Sequence, residues 1–257
     1  MIALFQKVGA AVFNFLYHVG SFGKLMYRTL LAFADMRTWA GLVAEQMMKI
    51  GVQSLPVVAY ISMFMGMVTA LQAVHQFTQT VPLYITGTVV EKAVMQELAS
   101  AMTALVLAGR VGAAIAAEIG TMKVTEQIDA LEAMAFNPVA YLVVPRLIAG
   151  MVMLPALAAF AAFIAMISGW LTAVSLADIT TFEFFKGAKQ YANWRDFALP
   201  ISKSILFGAS IIMVACYQGF NAKQGAEGVG SAATKAAVAA CLMILTLDFV
   251  MATVILA

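Results

Sequence analysis

Long stretches without Asp, Glu, Lys or Arg constrain this sequence more than any other feature. Two of them, residues 50–90 and 147–177, exceed the roughly 20 apolar residues that an α-helix needs to cross a bilayer core about 30 Å thick. The chain is 63% hydrophobic and 11% charged, whereas a soluble domain carries about 25% charged residues. We therefore predict an all-α integral membrane protein with a single membrane domain over residues 1–257.

Five windows in the sequence are suited to transmembrane helices. They cover residues 55–77, 94–117, 147–177, 201–220 and 236–257. The third window is long enough to cross with tilt, or with a break near Pro155 or Gly169. In the second, Gly109, Ala113 and Ala117 repeat every four positions, which lets helices approach closely in lipid. We expect this second helix to be central.

Two segments between the windows are predicted to be loops. Residues 79–87 contain Pro82 and read as an external loop. Residues 178–197 read as a polar loop whose Tyr191 and Trp194 suit a membrane interface. The transmembrane bundle is thus predicted to occupy residues 50–257.

The N-terminal region, residues 1–49, is predicted to contain a helix at the cytoplasmic interface. Lys7 precedes an apolar stretch over residues 8–23, as in a secretory signal, but no small-x-small cleavage pattern closes it. Lys24, Arg28 and Arg37 follow directly. This pattern favours a retained interfacial helix.

The distribution of Lys and Arg predicts the orientation, because cytoplasmic loops retain these residues. With the N-terminus in the cytoplasm and the C-terminus outside, the inner side carries the larger basic group: Lys7, Lys24, Arg28, Arg37, Lys49, Arg110, Lys123, Arg146, Lys223 and Lys235. The outer side then carries the smaller group: Lys92, Lys186, Lys189, Arg195 and Lys203.

Several classes of function are excluded by what the sequence lacks. A net charge of +2 with scattered basic residues argues against a nucleic-acid partner. Cys216 and Cys241 lie in apolar runs and are expected to be inert; no metal or catalytic set is apparent. Residues 225–230 are rich in Gly but lack the Lys and Ser/Thr of a phosphate-binding loop, so we expect a turn there.

The segment after the second window contains a short predicted helix. Thr125 can act as its N-cap, Glu126 and Asp129 fall in its first turn, and Asn137-Pro138 can end it after about three turns. Ile128 and Leu131 fall on one face. Such a helix is either a surface connector or a coupling helix that docks into a soluble partner.

One long motif resembles a known family. The run LVLAGRVGAAIAAEIGTMKVTEQIDALEAMAFNPVAYLVVPR over residues 105–146 is similar to the signature of the MlaE/YrbE permease family, the membrane subunit of Mla-type phospholipid ABC transporters. Further similar positions are Leu71-Gln72, Glu97-Leu98, Ser202-Lys203-Ser204, residues 225–230, Thr234 and Leu247-Asp248-Phe249. Where the family usually shows Arg-Glu-Leu-Gly-Pro, this chain has Gln96-Glu97-Leu98-Ala99-Ser100. The substitution removes the basic residue and an expected kink.

The resemblance implies a set of partners. It implies a homodimer in the bacterial inner membrane, a cytoplasmic ABC ATPase that binds ATP and Mg, a small STAS-domain protein and a periplasmic MCE-domain lipid-binding protein. The transported phospholipid would help maintain outer-membrane lipid asymmetry. The chain itself would be a permease rather than an enzyme, with no cofactor of its own. The alternative from another class is a nucleotide-independent scaffold or secondary carrier, although no inverted repeat is apparent.

Two groups of candidate site residues follow. Ionisable residues at membrane depth are functional candidates, and Glu97 and Lys203 are expected near the outer ends of their helices, bordering a lipid cavity. The predicted lipid-binding set is Glu97, Gln96, Leu98, Lys203, Thr69 and Gln72. The competing interpretation is that Lys203 pairs with Glu97 or Asp248 only to hold helices together. The predicted ATPase-coupling set is Thr125, Glu126, Gln127, Asp129 and Glu132.

Overall fold

The computed structural model describes residues 2–35, 39–76, 82, 84–176 and 179–256, which form helices and no β-strand. The helices are α1 Ile2–Ala32, α2 Ala40–Gln76, α3 Tyr84–Val124, α4 Gln127–Ala133, α5 Val139–Leu176, α6 Thr181–Gln190, α7 Trp194–Phe220 and α8 Ala226–Leu256. Five of them, α2, α3, α5, α7 and α8, are long and apolar enough to cross a membrane. The predicted all-α membrane fold is confirmed. Predictions at Arg37, residues 77–81, residues 177–178 and Ala257 lie outside the described residues.

The helices begin earlier than the apolar windows predicted. The described part of the predicted loop at residues 79–87 includes the first turn of α3, which starts at Tyr84. The predicted loop at residues 178–197 contains α6 and the start of α7. The predicted turn at residues 225–230 is also wrong, because α8 begins at Ala226 directly after Gly225, whose φ is +87°. A charge-free window marks only the apolar part of a helix, whereas the helix continues into polar sequence.

Side-chain caps explain two of these early starts. Thr180 accepts a hydrogen bond from the Glu183 backbone N–H, and the Glu183 carboxylate accepts one from the Thr180 backbone N–H. The same reciprocal pattern joins Asn193 and Asp196 at the start of α7. Hydrogen bonds from Thr180 hold the pKa of the Glu183 carboxyl below its usual range. These capping boxes satisfy backbone donors that a helix leaves unpaired at its start.

Helix α5 is continuous, so of the two predicted alternatives, tilt or a break near Pro155 or Gly169, the break is wrong. Both residues lie inside the helix. Its 38 residues would extend about 57 Å at 1.5 Å per residue. The helix is therefore long enough to cross the bilayer and project beyond it.

Helices α3 and α7 form the centre of the bundle. The most apolar windows of α3 and α7 are 50% and 56% buried, whereas that of α8 is 11% buried. Helix α5 packs against α2 on one side and α7 on another, and α3 contacts α5, α6, α7 and α8. The predicted central position of the second span agrees with this arrangement. Its predicted small-residue face agrees only in part, because Gly109 is exposed and has no neighbour on that side.

Glycines allow three pairs of helices to approach closely. Gly66 of α2 lies against the backbone of α5 at Ala165, Gly208 of α7 lies against α5, and Gly187 of α6 lies against α3. A β-carbon at Gly187 would overlap the carbonyl oxygen of Tyr84. The overlapped atom belongs to the backbone and cannot rotate away as a side chain can.

We expect Gly187→Ala to lower the free energy of unfolding by about 2 kcal/mol, because overpacking forces the backbone of α3 and α6 apart. Thermal unfolding of the purified protein in detergent measures the change. Gly109→Ala is the matched control, since an added β-carbon meets open space there; it should leave the melting temperature unchanged or slightly higher. Equal melting of the two variants would contradict the close contact.

Candidate functional site

A buried lysine joins three membrane helices. The side chain of Lys203, on α7, is only 2% exposed. Its Nζ donates hydrogen bonds to both carboxylate oxygens of Glu97 on α3 at 2.8 Å. The same Nζ lies 2.9 Å from Oδ1 of Asp248 on α8, in an ion pair. We call these three residues the Lys203 cluster.

The Lys203 cluster is open on one side. The side chain of Glu97 is 42% exposed and that of Asp248 is 22% exposed. A buried cation is thus neutralised by two carboxylates, one of which still reaches the protein surface. The structure therefore brings Glu97, Lys203 and Asp248 together, as predicted, and shows that Lys203 pairs with both acids. The pairing is compatible with a headgroup contact at Glu97.

Glu97 lies farther from the start of its helix than the sequence suggested. Because α3 begins at Tyr84, about 20 Å of helix precedes Glu97 at 1.5 Å per residue. Glu97 also lies in a π-helical segment, Val94–Leu98, and Arg110 lies in a second one, Ala108–Gly112. A π-helical turn contains more residues than an α-helical turn, so it changes the direction in which side chains point. Such turns are frequent at functional sites. Ala99 and Ser100, which stand where the family usually shows Gly-Pro, follow the first π-helical segment and lie in regular α-helix.

Gln96 is engaged by a neighbouring polar cluster. Its Nε2 donates to Oδ1 of Asp196 at 2.7 Å, and Lys92 forms an ion pair with the same carboxylate. Nearby, Glu91 is 3% exposed, and its carboxylate oxygens have no hydrogen-bond partner among the described residues. Gln96 thus positions the start of α7 against α3, one step removed from the Lys203 cluster.

The remaining predicted lipid-binding residues are dispersed. Leu98 is half-buried in the π-helical segment. Thr69 donates its hydroxyl to the Met65 carbonyl oxygen at 2.7 Å, and Gln72 is exposed; both lie on α2. No hydrogen bond or ion pair connects these three residues to the Lys203 cluster within the part of the chain that the structure describes.

The stretch that contains the predicted ATPase-coupling residues, residues 125–136, is here called the coupling segment. It differs from its predicted form at its start. Helix α4, Gln127–Ala133, has seven residues rather than three turns. Thr125 is not its N-cap: it ends α3 and donates its hydroxyl to the Thr121 carbonyl oxygen at 2.8 Å. Glu126 stands between α3 and α4 with a φ of 60°, in the left-handed region. This single residue makes the sharp turn between the two helices.

The end of α4 also differs from the prediction. The helix stops at Ala133, before Asn137-Pro138. Ala135 has a φ of 61°, and the Phe136 backbone N–H donates to the Leu131 carbonyl oxygen at 3.0 Å, which is a helix-ending arrangement of the Schellman type. The Asn137 side chain instead accepts a hydrogen bond from the Val139 backbone N–H at 3.0 Å. Asn137 therefore begins α5 rather than ending α4.

One face of the coupling segment is free. Ile128 is 8% exposed and anchors α4 to the bundle, whereas Thr125, Glu126, Gln127, Asp129 and Glu132 are exposed. Met134 and Phe136, which are 61% and 48% exposed, were not among the predicted coupling residues. Large apolar side chains beside an exposed acidic helix are typical of a protein-binding surface. Their signal in the sequence was an apolar pair next to the predicted helix end.

The bundle is tightly joined beneath the coupling segment. Arg146 of α5 is 4% exposed and pairs with Glu118 of α3 at 3.0 Å. Lys49 of α2 lies 4.0 Å from the same carboxylate. Arg110 of α3 donates to the Ser54 hydroxyl of α2. These contacts connect α2, α3 and α5.

The turn at Glu126 gives a testable stability difference. We expect the free energy of unfolding of Glu126→Gly to exceed that of Glu126→Ala by about 1 kcal/mol, because only Gly adopts a φ of 60° without strain. The Gly variant should therefore melt at the higher temperature. Both variants lose the carboxylate, so the comparison isolates the backbone. Thermal unfolding in detergent measures it; a lower melting temperature for Glu126→Gly would contradict a left-handed residue here.

The family model described as Permease MlaE matches residues 43–254. The chain is 30% identical to the intermembrane phospholipid transport system permease protein MlaE of Haemophilus influenzae, over 99% of this chain and 98% of that one. It is 34% identical to a probable ABC transporter permease protein of Rickettsia prowazekii, over 97% and 96%. A probable ABC transporter permease of Synechocystis is 38% identical, over 80% and 78%.

Proposed function

Since the chain belongs to the MlaE permease family, we propose that it is the membrane subunit of an ATP-driven phospholipid transporter. It would move lipid between the bacterial inner membrane and a periplasmic lipid-binding partner, and so help maintain outer-membrane lipid asymmetry. The observation that carries the proposal is similarity along almost the whole chain to a permease named for intermembrane phospholipid transport.

The proposed assembly supplies what this chain lacks. The sequence has no GxxxxGK[ST] phosphate loop, so ATP and Mg would be bound by a cytoplasmic ABC ATPase. A small STAS-domain protein and a periplasmic MCE-domain protein would complete the complex. Two copies of this chain would form a homodimer. Helix α8 could supply the interface, because only 11% of its most apolar window is buried within one copy. The N-terminus would lie in the cytoplasm and the C-terminus in the periplasm.

The Lys203 cluster would meet the lipid headgroup. A headgroup amine can pair with the partly exposed carboxylate of Glu97, which Lys203 holds in place through two hydrogen bonds. Leu98, on the same π-helical segment, would contact the lipid beside it, and Thr69 and Gln72 of α2 would line the far wall of the cavity. Gln96 would shape the cavity indirectly, because its hydrogen bond to Asp196 fixes the start of α7 against α3.

The coupling segment would receive the force of ATP binding. Its exposed acidic residues and the apolar side chains of Met134 and Phe136 would dock on the ATPase. Since Ile128 anchors α4 to the bundle, movement of the ATPase would be transmitted to α3 and α5. The cavity between two copies would then close and expel lipid.

Co-purification followed by reconstitution tests the proposal. The tagged chain is isolated from its native membrane, and the complex is placed in vesicles with labelled phospholipid. We expect an ABC ATPase subunit to be retained and lipid to move only when ATP is hydrolysed. Lipid movement without nucleotide, or no ATPase subunit in the isolated complex, would favour a scaffold or secondary carrier instead.

A further inference from the structure

A pocket of about 470 Å³ opens at the end of the bundle where α4 lies. Helices α1, α4, α5 and α7 contribute to its wall: α1 supplies Lys24 and Arg28, α4 supplies Ile128 and Glu132, α5 supplies Val139, and α7 supplies Phe220. The Lys203 cluster is not part of it. The pocket therefore differs from the proposed transport site in both position and charge.

The cationic side of the pocket is unpaired. Lys24 and Arg28 are four residues apart, so they lie on the same face of α1. Both are exposed, and neither forms an ion pair or hydrogen bond with any other residue in the described ranges. Glu132 is the acidic residue on the opposite wall. The lining carries an excess of positive charge that nothing in the described part of the chain neutralises.

The surface of α1 indicates where this pocket lies. Around the helix, large apolar side chains are exposed: Phe13, Leu16, Met26, Tyr27 and Leu30 are all at least 45% exposed. A helix that combines such a surface with Lys and Arg lies in the membrane interface. Near its end, Ala32 packs against Ala140 and Val144 at the start of α5. Lys24 and Arg28 are thereby held beside the bundle at the depth of lipid headgroups.

We propose that this pocket binds the headgroup of an anionic phospholipid from the adjoining leaflet. Lys24 and Arg28 contact its phosphate, because a paired Lys and Arg bind phosphate oxygens by charge-assisted hydrogen bonds. Leu25 and Leu31, which also line the pocket, contact the first carbons of its acyl chains. The bound lipid bridges α1 and α4. Binding itself is independent of the proposed transport, and only its effect on coupling would rest on that function.

Site-specific photocrosslinking tests the proposal without measuring transport. Benzoylphenylalanine replaces Leu31, which lines the pocket, or Phe163, which is 62% exposed on α5. Each protein is placed in nanodiscs of equal phosphatidylglycerol and phosphatidylcholine, with one lipid labelled at a time. We expect the probe at position 31 to crosslink phosphatidylglycerol in preference to phosphatidylcholine, and the probe at position 163 to show no preference.

Three variants locate the phosphate. Lys24→Gln with Arg28→Gln should lower the preference at position 31 by about fivefold for each cation removed. Lys186→Gln with Lys189→Gln removes the same charge from α6 and should leave it unchanged. Glu132→Gln should raise it, since an opposing charge is lost. Size-exclusion profiles and melting temperatures establish that the variants are folded.

Two results would overturn the proposal. An unchanged preference in the Lys24 and Arg28 double variant would show that these cations do not hold the headgroup. Loss of the preference in excess inorganic phosphate, but not in chloride of equal ionic strength, would identify a soluble-anion site instead of a lipid site.

Discussion

Lys203→Met is expected to lower the free energy of unfolding by about 3 kcal/mol, because removing one partner of a buried ion pair leaves the other uncompensated. Two carboxylates, Glu97 and Asp248, lose their cation in this variant. The estimate is at the lower end of the usual range since Glu97 is 42% exposed and water can solvate it. Thermal unfolding in detergent gives the measurement.

Two further substitutions isolate the cause. Lys189→Met removes a lysine from the exposed surface of α6, and such changes usually alter stability by no more than about 0.5 kcal/mol. Adding Asp248→Asn to Lys203→Met should restore part of the loss, because one unpaired charge disappears. The ion-pair account would be contradicted if Lys203→Met melted at the wild-type temperature, or if the double variant were less stable than Lys203→Met alone.

Glu97→Gln separates the headgroup contact from the structural pairing. Asp248 still pairs with Lys203 in this variant, so the fold should be retained. Loss of labelling by a photoreactive lipid, with assembly intact, would then support a headgroup contact at Glu97. Unchanged labelling would leave the pairing of helices as the role of this residue.

Met134→Asp combined with Phe136→Asp is expected to weaken retention of the ATPase subunit by at least about 30-fold, as for the loss of a hot spot at an interface. Both side chains are largely exposed, so an effect on folding should be small. The measurement is the amount of ATPase subunit that co-purifies, together with lipid-stimulated ATP hydrolysis. Asp129→Lys should reduce both quantities to a lesser degree, because a rim charge contributes less than a buried anchor.

The control for the coupling segment lies at the opposite end of the bundle. Phe182 of α6 is 75% exposed, so Phe182→Asp introduces the same charge on an apolar surface away from α4. ATPase retention should be normal in this variant. Equal loss in both variants, or normal retention when Met134 and Phe136 are replaced, would contradict docking through the coupling segment.

Hydropathy predicted the spans better than it predicted their ends. Each of the five apolar windows corresponds to a long helix, since the cost of leaving a charge or a backbone group in lipid is large and local. The ends depend on individual hydrogen bonds. Thr180 with Glu183, and Asn193 with Asp196, begin helices inside a predicted loop, and both show the capping spacing in the sequence. Glu126 in a left-handed conformation has no such signal.

Composition and local pattern by themselves determined the membrane fold, the spans and the family motif, because each depends on neighbouring residues and on transfer from water to lipid. Only the tertiary structure decided that Lys203 joins Glu97 to Asp248, that Gln96 holds Asp196, and that Lys24 and Arg28 line a pocket with α4. These residues are far apart along the chain. They come together because of the directions of the helices, the π-helical segments and the close helix contacts at glycines. No short-range pattern encodes such long-range geometry.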